Sequence, residues 1–154
     1  MRKRSSYRPK PIITDPITHL LEGIRPPSTD KLLSIKIKNH DAMNSLLYGR
    51  ATIADVDLLI NMANMVEALY RLGFGREYKD VVSVGLDALF QVGSRGVASG
   101  RFVLKVSEIA AMNELMELHD AQLEVVTVID MEKALALIQQ EHRAKKMRKI
   151  GEKK

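Results

Sequence analysis

Arg2, Lys3, Arg4, Arg8 and Lys10 stand within the first ten residues with no acid among them, and Tyr7 lies between. A guanidinium pairs with a phosphate through two parallel hydrogen bonds, an ammonium acts as a point charge, and a tyrosine ring stacks on a nucleobase. Such an arm follows a nucleic-acid backbone or lies in a minor groove, with affinity that falls steeply as salt rises. The other end repeats the pattern: over residues 142–154, Arg143, Lys145, Lys146, Arg148, Lys149, Lys153 and Lys154 are set against Glu152 alone. The ends carry +5 and +6 against a whole-chain charge of +5, which leaves −6 on residues 11–141. A mildly acidic body between two basic tails points to a polyanion, or to an acidic protein surface such as that of a second copy. Cations also favour a helix C-terminus through the macrodipole, so part of the C-terminal run needs no function, but seven exceed that need.

The loop Gly93-Ser94-Arg95-Gly96-Val97-Ala98-Ser99-Gly100-Arg101 offers backbone donors, hydroxyls, Arg95 and Arg101 ahead of a helix, where a phosphate can sit. It has no Lys-Ser/Thr pair and follows no strand, so neither a P-loop nor a dinucleotide fingerprint is present, and a flexible connector is the competing reading.

Glu114, Glu117, His119, Asp120 and Glu124 resemble a carboxylate metal set in composition only. The required Glu-x-x-His is missing, because Glu117 and His119 are two apart and face differently. A solvated acidic face with His119 as a core histidine is the simpler reading. There is no cysteine, which excludes disulfides, thiolate catalysis and cysteine-ligated metals. No nucleophile elbow is found either. The chain is expected to be non-enzymatic, with no cofactor and no metal. Forcing Thr52–Gly75 into a helix-turn-helix fails, since its first helix is too long and residues 60–62 read Ile-Asn-Met where a glycine belongs.

Three stretches, Lys36-Ile37-Lys38-Asn39-His40, Gly49-Arg50-Ala51-Thr52 and Glu67-Ala68-Leu69-Tyr70-Arg71-Leu72-Gly73-Phe74-Gly75, together with the opening Arg2-Lys3-Arg4-Ser5, look similar to small basic helical proteins carried by bacterial phages and mobile elements. The resemblance implies a bacterial cytoplasm and a role in element maintenance or in interference with a host machine. It carries no activity and no functional residue with it.

The elements that must position these residues read as helix. A chain of 154 residues with 45% hydrophobic content can bury one core. No apolar run approaches the roughly 18–20 residues that span a bilayer, so no membrane partner is expected. All five prolines lie in residues 1–30, which predicts an extended, proline-rich basic arm with one short helical turn at Pro16–Glu22, pinned by Ile17, Leu20 and Leu21. Residues 31–146 form the helical domain and residues 147–154 a basic tail.

Thr29 or Asp30 caps a helix from Lys31 to Tyr48, stopped by Gly49. Thr52-Ile53-Ala54-Asp55 is a capping box that opens a helix to Leu72, with the stripe Val56, Leu59, Ile60, Ala63, Val66, Leu69 and Tyr70. A third helix spans about Arg76 to Val92, with Gly85 at a close crossing, and Gly93, Gly96 and Gly100 mark a flexible joint. From Arg101 the helical period continues to about Lys146. One unbroken helix there would be about 68 Å long at 1.5 Å per residue, too long for one small globule to cover. Either it breaks near Thr127, where Thr127 and Asp130 make a second capping box, or its far half packs on another chain. A strand at 123–129 is the competing local reading of the β-branched run. The fold class is therefore an all-α multi-helix bundle with one very long or broken C-terminal helix, and homo-oligomerisation is expected through that helix; a methionine patch at Met112, Met116 and Met131 suits such an interface, and core filling explains these methionines equally well.

Two functions fit. The first is a non-catalytic DNA- or RNA-binding accessory or regulatory protein, with phosphate contacts from Arg2, Lys3, Arg4, Arg8, Lys10, Arg143, Lys145, Lys146, Arg148 and Lys149, and weaker ones from Arg95 and Arg101. The second is an interaction module that docks on a bacterial host complex, such as a nucleic-acid-processing effector, and inhibits it through the acidic face at Glu114, Glu117 and Glu124.

Overall fold

The computed structural model describes residues 16–150. The N-terminal cations with Tyr7, and Lys153 and Lys154, lie outside the described residues. Among the described residues every long element is a helix: α1 (Pro16–Gly23), α2 (Thr29–Leu47), α3 (Ile53–Arg71), α4 (Lys79–Ser99), α5 (Val106–Val125) and α6 (Val128–Arg143).

Local chemistry explains most of the boundaries. Ser28, one residue before the expected Thr29, caps α2 by accepting from the Lys31 N–H. The Asp55 N–H donates to Thr52 Oγ1 and the Thr52 N–H donates to the Asp55 carboxylate at 2.7 Å, so the reciprocal box opens α3 as its residues predict. α2 and α3 end alike. The Arg50 N–H reaches Ser45 O and the Gly49 N–H reaches Leu46 O, while Phe74 and Gly73 bond Leu69 O and Tyr70 O. Both are Schellman closures, with Gly49 and Gly73 taking the positive φ that the motif requires.

α3 is the central element and touches α2, α4, α5 and α6. Its Val56, Leu59, Ala63 and Val66 meet Met43 and Leu46 of α2, Leu89 and Val92 of α4, and Met112 and Leu115 of α5 in one core. A second cluster joins its Ala68 and Leu69 to Val126 and Ala134.

Of the two readings of the C-terminal segment, the unbroken long helix is excluded and the break near Thr127 holds: α5 stops at Val125, Val126 is extended, and Thr127 restarts the chain as α6. The restart turns α6 back onto α3, so this half of the segment packs within its own chain. Met62, Met112 and Met116 are likewise buried and fill the core. The segment at Gly93 and Gly96 is not a joint. Both glycines are helical within α4, and their missing side chains make room for neighbours: a Cβ on Gly96 would overlap the Phe102 ring and one on Gly93 would overlap Ile150. The helix stops one turn later, at Gly100 with φ +75°. Within the expected arm, the helical turn expected at Pro16–Glu22 is present as α1, and α2 begins at Thr29, two residues before the expected Lys31; residues 1–15 lie outside the described residues. α1 is held through Gly23 against Ile129 and through the Val128 N–H on Arg25 O, while Ile17 and Leu21 stay largely exposed. Gly85 does lie at a close crossing, with Leu115 of α5 against it.

Candidate nucleic-acid interface

The Schellman turn after α2 leaves Arg50 exposed and packs Ala51 against the core, where Ala51 pairs with Phe102 in an isolated antiparallel bridge. Phe102 is held by its ring on Gly96. This closes a small corner in which two segments distant in sequence lie side by side. A Cβ on Gly49 would stand 3.2 Å from the Arg101 guanidinium. The Arg50 guanidinium lies 5.3 Å from the centre of the Tyr48 ring, itself 72% exposed. Neither Arg50 nor Arg101 is ion-paired to a carboxylate among the described residues. Two unneutralised guanidinia beside an exposed ring offer phosphate pairing and base stacking at one place.

Arg95 is differently placed. Its guanidinium bonds both Glu108 oxygens, at 2.7 and 2.5 Å, and Val103 O at 3.1 Å. The Glu108 carboxylate also accepts from the Lys105 N–H at 2.7 Å and so caps α5. Burial pushes the Glu108 carboxyl up, but the Arg95 and Lys105 hydrogen bonds outweigh it and hold the group below the ordinary range. Arg95 therefore rivets α4 to the start of α5, and its donors face inward.

The C-terminal run folds back along α4. Arg148 reaches Asp87 Oδ1 at 2.6 Å and covers the Phe90 ring at 4.8 Å, and Ile150 sits on Gly93. Contacts at 87, 90 and 93 mean that the tail runs toward the C-terminal end of α4. Arg143, Lys145 and Lys146 are exposed and have no ion pair among the described residues. Lys149 is also exposed. Lys145 takes the left-handed position of a third Schellman closure, φ 55°, with the Lys146 N–H on Glu141 O.

Of the expected cations, the fold leaves Arg101 at the corner, commits Arg95 to the core's edge and Arg148 to Asp87, and sets Arg143, Lys145 and Lys146 at and just past the end of α6, whose Glu141 pairs with Arg71 at the far end of α3. It adds Arg50 and Tyr48, which sequence reasoning did not single out. Their only local signal is position, an exposed turn between a glycine stop and a capping box. On the acidic side, Glu114 and Glu117 are exposed, Glu124 pairs with Lys36 at 3.2 Å, and Asp120 bonds His40 at 2.9 Å. No group of three His, Asp or Glu among the described residues is arranged to hold a metal ion. His119 is a buried core residue, as its position on the apolar stripe predicts. No helix among the described residues is long and apolar enough to cross a membrane.

Compared with models of known families, with curated proteins and with solved structures, the chain matches none.

Proposed function

We propose that this protein is a non-catalytic nucleic-acid-binding accessory or regulatory protein of a bacterial phage or mobile element, acting in the cytoplasm. The observation that carries the reading is the corner at Gly49, where Arg50 and Arg101 converge without carboxylate partners beside the exposed Tyr48 ring. The two basic tails are the sequence's contribution. Recognition is mostly electrostatic, since guanidinia and ammonium groups at a surface read phosphates and not base edges. Tyr48 adds a stacking platform, which favours single strands.

The test is binding of labelled single-stranded DNA, duplex DNA and RNA across a salt series. The full chain is compared with Arg50→Glu/Arg101→Glu and with Lys145→Gln/Lys146→Gln. All four positions are exposed, so the fold is retained. The expected result is tight binding at low salt for the full chain. On duplex DNA the salt slope should become shallower by about 0.9 for each phosphate contact removed. Absence of binding to all three at low salt overturns the reading and moves it to a protein partner, a bacterial host complex met by the exposed carboxylates Glu114 and Glu117.

A further inference from the structure

A second feature lies elsewhere and owes nothing to the basic corner. α2 is anchored unevenly. Asn39, Ala42, Met43 and Leu46 of its second half are buried, and no residue of 29–38 is. Ala42, Met43 and Leu46 belong to the main core. Upstream the chain is fixed again at Arg25, whose carbonyl accepts from the Val128 N–H. Between these two anchors, Ile35 and Lys38 border an open groove of about 230 Å³. Leu58 and Met65 of α3, Leu123 of α5 and Met131 of α6 form its apolar remainder.

Two bridges latch this half of α2 to α5. Lys36 Nζ meets Glu124 Oε1 at 3.2 Å, and His40 Nε2 meets Asp120 Oδ2 at 2.9 Å. Lys36 and His40 are four residues apart, as are Asp120 and Glu124, so the bridges form side by side between one face of each helix. The Glu124 and His40 side chains are 71% and 53% exposed. Pairs open to water in this way are weak and are screened by salt.

Beneath the latch, Asn39 Nδ2 and His119 Nδ1 are buried without a hydrogen-bond partner among the described residues. A buried polar atom without a partner costs free energy, whether or not the ring nitrogen carries the proton. Local opening of α2 lets water reach both atoms, so the closed state bears a cost that the open state sheds. Few buried apolar contacts, weak outer bonds and unpaired polar atoms underneath are together the marks of a segment that opens before the rest of the fold.

We propose that residues 29–38 are a strap that opens as one unit by local unfolding and uncovers the groove, held shut by the Lys36–Glu124 and His40–Asp120 bridges.

The test is amide hydrogen exchange on the full chain without nucleic acid, read residue by residue at neutral pH. Amides at 33–38 are expected to exchange through one shared opening, faster than those at 42–47. Simple fraying of a helix end gives instead a gradient from Thr29 inward. Glu124→Gln/Asp120→Asn should speed exchange at 33–38 about tenfold and leave 42–47 unchanged, since each bridge lost shifts the opening by a few fold. Raising salt to about 0.5 M should act in the same direction on the parent and have little further effect on the double variant. Should the double variant not fold, Glu124→Gln at its exposed position still decides, with a smaller shift confined to 33–38. The proposal is overturned by a graded loss of protection from Thr29, by equal protection in both halves of α2, or by exchange at 33–38 that neither the substitutions nor salt alters.

Discussion

The Arg95 guanidinium spans both oxygens of the Glu108 carboxylate, and this pair locks the C-terminal half of α4 to the first turn of α5. Glu108 is buried, so removing its cation leaves an uncompensated charge. Arg95→Leu is expected to destabilise the protein by about 2–3 kcal/mol, read from urea unfolding. Arg95→Leu/Glu108→Gln should recover part of that loss, because the amide still accepts from the Lys105 N–H without a charge to strand. A double mutant whose loss equals the sum of the losses of Arg95→Leu and Glu108→Gln would show that the pair is not coupled.

Gly96 tests whether the glycine cluster is packing or hinge. In a free helical segment Gly→Ala stabilises by about 1 kcal/mol. Here the new methyl meets the Phe102 ring, whose backbone is tied to Ala51. Gly96→Ala is therefore expected to lose about 1–3 kcal/mol and to lower the thermal midpoint. A gain in stability would restore the hinge.

His119 makes stability depend on pH in a defined window. Burial holds its folded pKa at about 4, against an ordinary value of about 6.5. Between those values the unfolded chain binds a proton that the folded one does not. Stability is thus full above about pH 6.5 and falls as pH drops toward 4, by roughly 3 kcal/mol over the window. His119→Gln, which cannot charge, should flatten the unfolding free energy between pH 6.5 and 4.5. Glu108 and Asp130, both held below their ordinary values, act below that range: their stabilisation is present at higher pH and is lost as pH falls through the acid region.

The Thr127 hydroxyl donates to the Asp130 carboxylate at 2.7 Å and accepts from the Asp130 N–H, which starts α6 at a fixed angle to α5. Thr127→Ala is expected to cost about 1 kcal/mol in urea unfolding. It should also speed amide exchange in the first turn of α6 before the rest of the helix. Unchanged exchange there would place the control of the break in Val126 burial instead.

Local chemistry was readable where its range is three to five residues. The capping boxes at Thr52 and Thr127 and the glycine stops at Gly49 and Gly73 act on their own neighbours, so the helices of α2 and α3 stand close to where the residues place them. The helical period through 123–129 correctly outweighed the strand reading, but periodicity alone could not choose between one helix and two. That choice rests on Val126 and Ala134 finding a cluster on α3.

What the tertiary structure alone decided has partners far away in the chain. Gly93 and Gly96 read as a hinge until Ile150 and Phe102 arrive to fill the space beside them. Arg95 reads as a free cation until Glu108 is brought up to it, and Arg50 gains its meaning only when the Ala51–Phe102 bridge sets Arg101 beside Gly49. The sequence by itself determined an all-helical chain, the ends of α2 and α3 and the asymmetry of its charge, because propensity, capping and composition are local or additive quantities. Which cations are neutralised, which stay open and which polar atoms are buried without partners are pairwise properties of distant residues. Only packing decides them.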